Sequence, residues 1–160
     1  MKIWHISDTH GYHDLLKVPP DIDTVIFSGD AGNVRDPYKN EHEARTFLLW
    51  FSSLYIPNKI MIAGNHDSSF QRKFITGVQC LTDYGIHYLE DELVELDGIR
   101  FYGSPWTPAF NDWAFNKSRA KIDKVWQNIP TDEHIHVLIT HGPPKGILDI
   151  SENMDREIEI

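Results

Sequence analysis

Residues 59–67 read Lys59-Ile60-Met61-Ile62-Ala63-Gly64-Asn65-His66-Asp67, and this stretch decides the fold. Its first five residues are a near-continuous apolar run, the pattern of a strand covered on both faces. The run stops at a glycine followed by an amide, an imidazole and a carboxylate. The same form recurs three more times. Lys2 to Ser7 enters Asp8-Thr9-His10-Gly11, Thr24-Val25-Ile26-Phe27 ends at Ser28-Gly29-Asp30, and Val137 to Thr140 ends at His141-Gly142-Pro143-Pro144. In an open α/β sheet the carboxyl ends of the strands face one crevice, so four polar strand ends are expected to converge there.

Between these strands the hydrophobic period changes to that of a helix. Ala44, Phe47, Leu48, Phe51 and Leu54 share one face, Asn40 is the expected cap with Glu43 three residues on, and Pro57 follows the end. A second helix is predicted from Lys117 to Ile129, where Ile122, Val125, Trp126 and Ile129 align and Pro130 stops the chain. Leu93 to Leu96, the turn Asp97-Gly98 and Ile99 to Tyr102 predict a hairpin. The expected class is α/β with a mixed or two-sheet core, in a single domain over residues 1–160.

The composition narrows the function classes. The chain has 160 residues, 41% apolar and 24% charged, as in soluble globular domains. Its 24 acidic and 15 basic side chains give a formal charge of −9, and it has no run of Lys or Arg to track a backbone, which argues against duplex nucleic acid as a partner. A nucleotide or another small phosphate ester held at a local cation site stays compatible with that charge. The single cysteine, Cys80, excludes an internal disulfide and a thiolate zinc knuckle. No stretch of about 18 apolar residues predicts a membrane span, the N-terminal residues lack a signal-peptide pattern, and the cytoplasm is the expected compartment.

The chemistry lies in the strand ends. Carboxylate, imidazole and amide donors without thiolate suit hard-to-borderline divalent metals. In Asp8-Thr9-His10 the intervening residue lets two side chains point the same way from extended backbone, and Asp30 has two oxygens with which to bridge two ions. Each signal has a plainer reading alone: Gly29-Asp30 is common turn chemistry, Gly64 to Asp67 could be a capped strand-to-helix turn, and His141 to Pro144 a loop. Their conjunction, in order and each after an apolar strand, is what points to a metal site.

With Asp8 and His10, then Gly29-Asp30, then Gly64-Asn65-His66-Asp67, then His141 in place, the sequence resembles the calcineurin-like metallophosphoesterase family. Ser7 to Gly11, Gly103 to Pro108 and Thr140 to Pro144 resemble one subgroup of small phosphoesterases, and the resemblance runs to about residue 148. It implies a four-layer α-β-β-α sandwich and a hydrolase of phosphate esters, a phosphodiesterase, with two divalent ions (Mn, Zn or Fe). It implies Asp8 and His10 at the first metal, Asp30 as the bridge, Asn65 and His141 at the second, His66 as proton donor to the leaving oxygen, and Asp67 as the group that orients His66. A metal-activated water or hydroxide is the implied nucleophile.

The family's last motif, Gly-His-x-His, has no counterpart after His141. The expectation is a C-terminally short domain lacking the strand that carries that motif, a weaker second metal position, and an acidic tail from Asp149 to Ile160. A missing strand predicts an exposed sheet edge on which a second copy could pair. It also sets up an alternative, a catalytically impaired binding or regulatory protein on the same scaffold. His134-Ile135-His136 precedes its strand and so lies at the wrong end to substitute. His13, three residues after His10, is better placed, and His5 is expected as a packed core residue. Among the five Trp, Trp50 and Trp126 are expected in the core, while Trp106 and Trp113 flank a loop in which Trp106 either packs against the sheet or stacks on a substrate ring.

Overall fold

The computed structural model describes residues 1–149, so the acidic tail expected beyond them lies outside the described residues. Four strands form an all-parallel sheet in the order β1 (Ile3–Ile6), β2 (Thr24–Ser28), β3 (Asn58–Ile62) and β4 (His87–Tyr88). The register sets Ile6 beside Phe27 and Ser28 beside Ile62. The loops that follow β1 and β2 therefore start side by side. A second sheet holds β5 (Glu92–Leu96), β6 (Ile99–Ser104) and β9 (Val137–Thr140), with β5 and β6 antiparallel and β6 and β9 parallel. Two short pairs of residues, β7 (Thr107–Pro108) and β8 (Asn116–Lys117), form a parallel ladder of their own.

Two cores hold these layers. Helices α1 (Pro37–Ser53), α2 (Ser68–Gln71) and α3 (Gly77–Tyr84) cover the outer face of the parallel sheet, where Phe27, Phe47, Phe51, Met61 and Phe70 are fully buried. Ile26, Ile60, Ile62, Phe101 and Ile139 fill the space between the two sheets. Each fully buried side chain of this size contributes about 1.5–3 kcal/mol. Helix α4 (Arg119–Trp126) packs on β7 and β8, and a cleft of about 640 Å³ separates Ile122 and Trp126 from Leu138 of β9. The α/β class with a two-sheet core expected from the strand pattern is present, and so is the α/β sandwich that the resemblance implies. Among the described residues no helix is long and apolar enough to cross a membrane.

Local chemistry shifts two helix starts. Helix α1 begins at Pro37, not at Asn40: Asp36 is the cap, accepting the Lys39 N–H at 3.0 Å, and Pro37 takes the first position, where its missing N–H costs nothing. Asn40 lies inside the helix and buried. Helix α4 begins at Arg119, because Asn116 and Lys117 are held as strand: the Asn116 amide donates to the Thr107 hydroxyl at 2.9 Å and the Ala109 N–H donates to the Lys117 carbonyl at 2.7 Å. The hairpin forms as predicted, Leu96 opposite Ile99, with Asp97 and Gly98 both at positive φ (51° and 75°), the two-residue turn that matches strand twist. Strand β2 is buried throughout, but β1 is an edge whose residues alternate between exposed and half-buried. His5 is accordingly exposed, its ring nitrogen 2.8 Å from the Ser28 hydroxyl, and is no core residue.

Candidate metal centre

The four strand ends meet as the sequence predicts, and between β1 and β2 backbone bonds extend the pairing beyond the strands. The N–H groups of Asp8, His10 and Gly11 donate to the carbonyls of Gly29, Asp30 and Ala31 at 2.9, 3.1 and 2.9 Å. These turns hold non-glycine residues in the left-handed region: Asp8, His10 and Asp30 have φ of 53°, 43° and 64°. Such conformations cost about 1–3 kcal/mol each and persist only where the surroundings fix them. Gly64 supplies the space. A Cβ there would run into Asp30 Oδ1, the Asp30 backbone nitrogen and, at 2.7 Å, His141 Cε1.

Asp30 is the centre of the cluster. It is 3% exposed, and among the described residues its one hydrogen-bond donor is the His66 N–H, 2.7 Å from Oδ1. Three imidazole nitrogens surround it beyond hydrogen-bond length: His141 Nε2 at 3.5 Å, His10 Nε2 at 3.8 Å and His66 Nε2 at 3.9 Å. Burial raises the Asp30 carboxyl above its ordinary range, against the pull of His141 and the His66 N–H. Two sets of ligand atoms lie within 4.8 Å of one another and share Asp30: His10, Asp30 and His66, and Asp8, Asp30 and His141. The resemblance pairs Asp8 with His10, whereas the two sets group Asp8 with His141 and His66 with His10.

The donors fit divalent cations. His10 Nδ1 lies 3.0 Å from the Gly32 carbonyl and His141 Nδ1 lies 2.8 Å from the Ser28 carbonyl. A carbonyl only accepts, so both rings carry a proton on Nδ1 and leave Nε2 turned toward Asp30, the arrangement that orients metal-binding histidines. His141 Nε2 then faces the Asn65 side-chain oxygen at 3.0 Å. Two acceptors at that distance, beside a buried carboxylate, need a cation or a proton to reconcile them.

Asp67 holds this geometry from beneath. It is fully buried, and its two oxygens accept four backbone N–H groups: Asp30 at 2.8 Å, Ala31 at 3.0 Å, Gly32 at 3.2 Å and Gly64 at 2.8 Å. Burial and the neighbouring Asp30 charge raise its carboxyl, and the N–H groups of Gly64, Gly32 and Asp30 oppose that rise by binding the ionised form. None of these bonds reaches the His66 ring, so Asp67 fixes the Asp30 turn instead of orienting His66 directly. Asn40 does more for His66. Its amide donates to the His66 carbonyl at 2.7 Å and to the Val34 carbonyl at 3.1 Å, while its oxygen accepts the Ser69 N–H at 2.9 Å. The His66 ring lies 4.0 Å from the Trp113 ring and edge-on to His10 at 4.8 Å, and burial with the nearby His10 lowers its pKa.

The remaining histidines are elsewhere. His13 is buried against Phe47 and Trp50 and belongs to neither ligand set. His136 Nδ1 accepts the Arg100 N–H at 3.1 Å beside the start of β6, and His134 packs on it. Trp106 packs the loop: its indole donates to Asp91 at 2.8 Å and its edge meets Phe115. Three residues of the site have no strand-end signature, namely Asn40, Trp113 and Arg35, whose guanidinium carbon lies 4.1 Å from the Trp113 ring centre. The cluster Trp113-Ala114-Phe115 after Asn111-Asp112 was the one available signal, an aromatic turn that returns to the site when the Ala114 N–H bonds the Asn65 carbonyl at 3.0 Å.

The human and mouse proteins named metallophosphoesterase domain-containing protein 1 are each 36% identical to this chain over 176 aligned residues, covering 94% of it and 51% of their own length. A UPF0046 protein of Caenorhabditis elegans is 32% identical over 181 residues, covering 94% of this chain and 44% of its own. The chain thus spans about half the length of these relatives. The family model described as calcineurin-like phosphoesterase matches residues 1–158. The chain belongs to the calcineurin-like phosphoesterase family.

Proposed function

We propose that the chain is a metal-dependent hydrolase of phosphate esters, acting as a phosphodiesterase, with His66 as proton donor. The observation that carries this reading is the buried Asp30 carboxylate shared by two ligand sets. Asp30 would be shared by two ions: following the pairing that the resemblance implies, Asp8 and His10 would complete one position and Asn65 and His141 the other, with Asp8 also within 4.8 Å of the His141 ligand atom. The oxygen and nitrogen donors suit Mn, Zn or Fe. When bound, the ions supply positive charge against the phosphoryl oxygens and make a water molecule acidic enough to ionise near neutral pH.

The chain's own residues do the rest. Asp67 fixes the turn that presents Asp30, and the Ser28 and Gly32 carbonyls hold the His141 and His10 rings with Nε2 inward. His66, with its backbone carbonyl tied to Asn40 and its ring against Trp113, is oriented to pass a proton to the departing oxygen. Its lowered pKa makes the proton easier to give up, and general-acid assistance of this kind is worth about 10²–10⁴ in rate. The substrate is a small phosphate ester or nucleotide.

The test is hydrolysis of bis(p-nitrophenyl) phosphate by chelator-treated protein reloaded with Mn²⁺. The expected result is turnover that His66→Ala lowers by about 10²–10⁴ in kcat and that Asp30→Asn abolishes together with metal binding. No turnover with Mn²⁺, Zn²⁺ or Fe²⁺ at full metal occupancy would overturn the proposal and leave a binding role on this scaffold.

A further inference from the structure

A second cavity, of about 320 Å³, shares Asn65 and His66 with the metal centre and is walled beyond them by Arg35, Ser68, Gln71, Arg72, Asp112 and Trp113. Its chemistry differs from that of the metal centre. Two guanidiniums line it, and neither forms an ion pair within 4.0 Å among the described residues. Asp112, the one acid on the wall, is beyond that distance from both. In a chain of net charge −9, two uncompensated arginines on one small cavity are a local reversal of sign. The Ser68 hydroxyl on the same wall is buried and has no hydrogen-bond partner, a donor without an acceptor.

The cavity is coupled to the reacting centre through Trp113. That ring touches His66 at 4.0 Å and carries the Arg35 guanidinium at 4.1 Å. The stacked contact limits the conformations of an otherwise exposed arginine, so less freedom is lost when its N–H groups meet an anion. Trp113 is itself fixed by the neighbouring Ala114 N–H on the Asn65 carbonyl. A guanidinium fork, a hydroxyl donor and an amide side chain around a space of this size match the oxygens of a phosphate group.

We propose that this cavity is an anion subsite for a second phosphate, carried on the leaving portion of the substrate. The inference rests on the role given to His66 above: a group that protonates the departing oxygen faces the leaving portion, and the cavity adjoins His66. The preferred substrates are then phosphodiesters whose leaving portion ends in a phosphomonoester, as in a dinucleotide with a terminal phosphate. A neutral nucleoside in the same place leaves Arg35 and Arg72 without partners.

The test compares dithymidine monophosphate with its forms bearing a terminal 5′- or 3′-phosphate, in the Mn²⁺-loaded full chain. At least one terminal phosphate is expected to lower KM by about tenfold or more, and in Arg35→Ala with Arg72→Ala the ratio of the two KM values is expected to fall toward one. Arg35→Lys retains part of the ratio. In parallel, thymidine 3′,5′-bisphosphate is titrated into metal-free protein while tryptophan fluorescence is followed, with Trp113→Phe identifying the responding ring. Equal KM values with and without the terminal phosphate overturn the subsite while leaving the phosphodiesterase reading intact. If no dinucleotide is cleaved but the bisphosphate still alters the Trp113 signal and the double arginine variant loses that response, the subsite stands and the hydrolase reading fails. No cleavage of any dinucleotide together with no Trp113 response to the bisphosphate overturns both.

Discussion

The Asp67 carboxylate accepts the Asp30 backbone N–H at 2.8 Å, so a side chain from the end of β3 sets the position of the carboxylate that both ligand sets share. Its other three bonds, to Ala31, Gly32 and Gly64, make it the point at which two strand ends are joined. Replacing Asp67 by Ala leaves four buried N–H groups without acceptors, each costing about 1–3 kcal/mol before relaxation or entering water reduces the sum. The expected outcome is a loss of about 3–5 kcal/mol in urea unfolding, together with about a 10–100-fold loss of Mn²⁺ affinity. Unchanged affinity in a folded Asp67→Ala protein would show that Asp30 needs no such support.

Gly64 has a separate role, as space. An added methyl would meet the Asp30 carboxylate and His141 Cε1, whereas at Gly77 the nearest contact is 3.4 Å, to a Tyr88 side-chain atom. Gly64→Ala is therefore expected to lower metal affinity by at least about tenfold, and Gly77→Ala to leave it within about twofold. Isothermal titration with Mn²⁺ on both variants checks the contrast.

Asn40 is a buried polar residue with three bonds that tie α1 to the His66 and Val34 carbonyls and the Ser69 N–H. Asn40→Leu keeps a similar volume and removes all three, with an expected loss of about 2–4 kcal/mol. The readout beyond stability is kinetic: with His66 loosened, kcat falls more than KM rises. Equal kcat at full metal occupancy would assign Asn40 to folding alone.

How much of this was legible beforehand divides along physical lines. The strand ends carrying Asp8, His10, Asp30 and Asn65 follow from apolar runs that stop at polar turns, and parallel pairing in register brings them together; His141 comes from the second sheet and meets them only because the two sheets pack face to face, its Nδ1 on the Ser28 carbonyl. The Asp97-Gly98 turn was equally local. Asn40 reads as a cap because its spacing to Glu43 fits one, but Asp36-Pro37 four residues earlier makes a better start, leaving Asn40 to a contact that depends on how α1 packs. Trp113 and Arg35 reach the site through loops whose path is set by tertiary hydrogen bonds, and no periodicity encodes that path. The role expected of Asp67 was too specific: its position beside His66 in sequence suggested a ring contact, while its carboxylate is spent on backbone N–H groups.

His13 supplies a pH prediction away from the metal. Its ring is buried against Phe47 and Trp50, its Nδ1 has no partner, and burial lowers its pKa below the ordinary value of 6.5, with Asp14 opposing. The unfolded chain then binds a proton more readily than the folded one. The associated stability is fully present above about pH 6.5 and is lost as the pH falls through the unfolded value toward the folded one. Urea unfolding between pH 7 and pH 5 is expected to show a shallower decline for His13→Leu than for the parent chain, and equal slopes would exclude His13 as the source.

The central claim is that one buried carboxylate organises two cation positions. Its most direct test is Mn²⁺ titration of the chelator-treated full chain, counting bound ions per chain by electron paramagnetic resonance. The parent protein is expected to bind two ions, the second more weakly, His141→Ala to keep one, and Asp30→Asn to bind neither. Binding of no Mn²⁺ by the parent chain, or unaltered binding of two ions by Asp30→Asn, would contradict it.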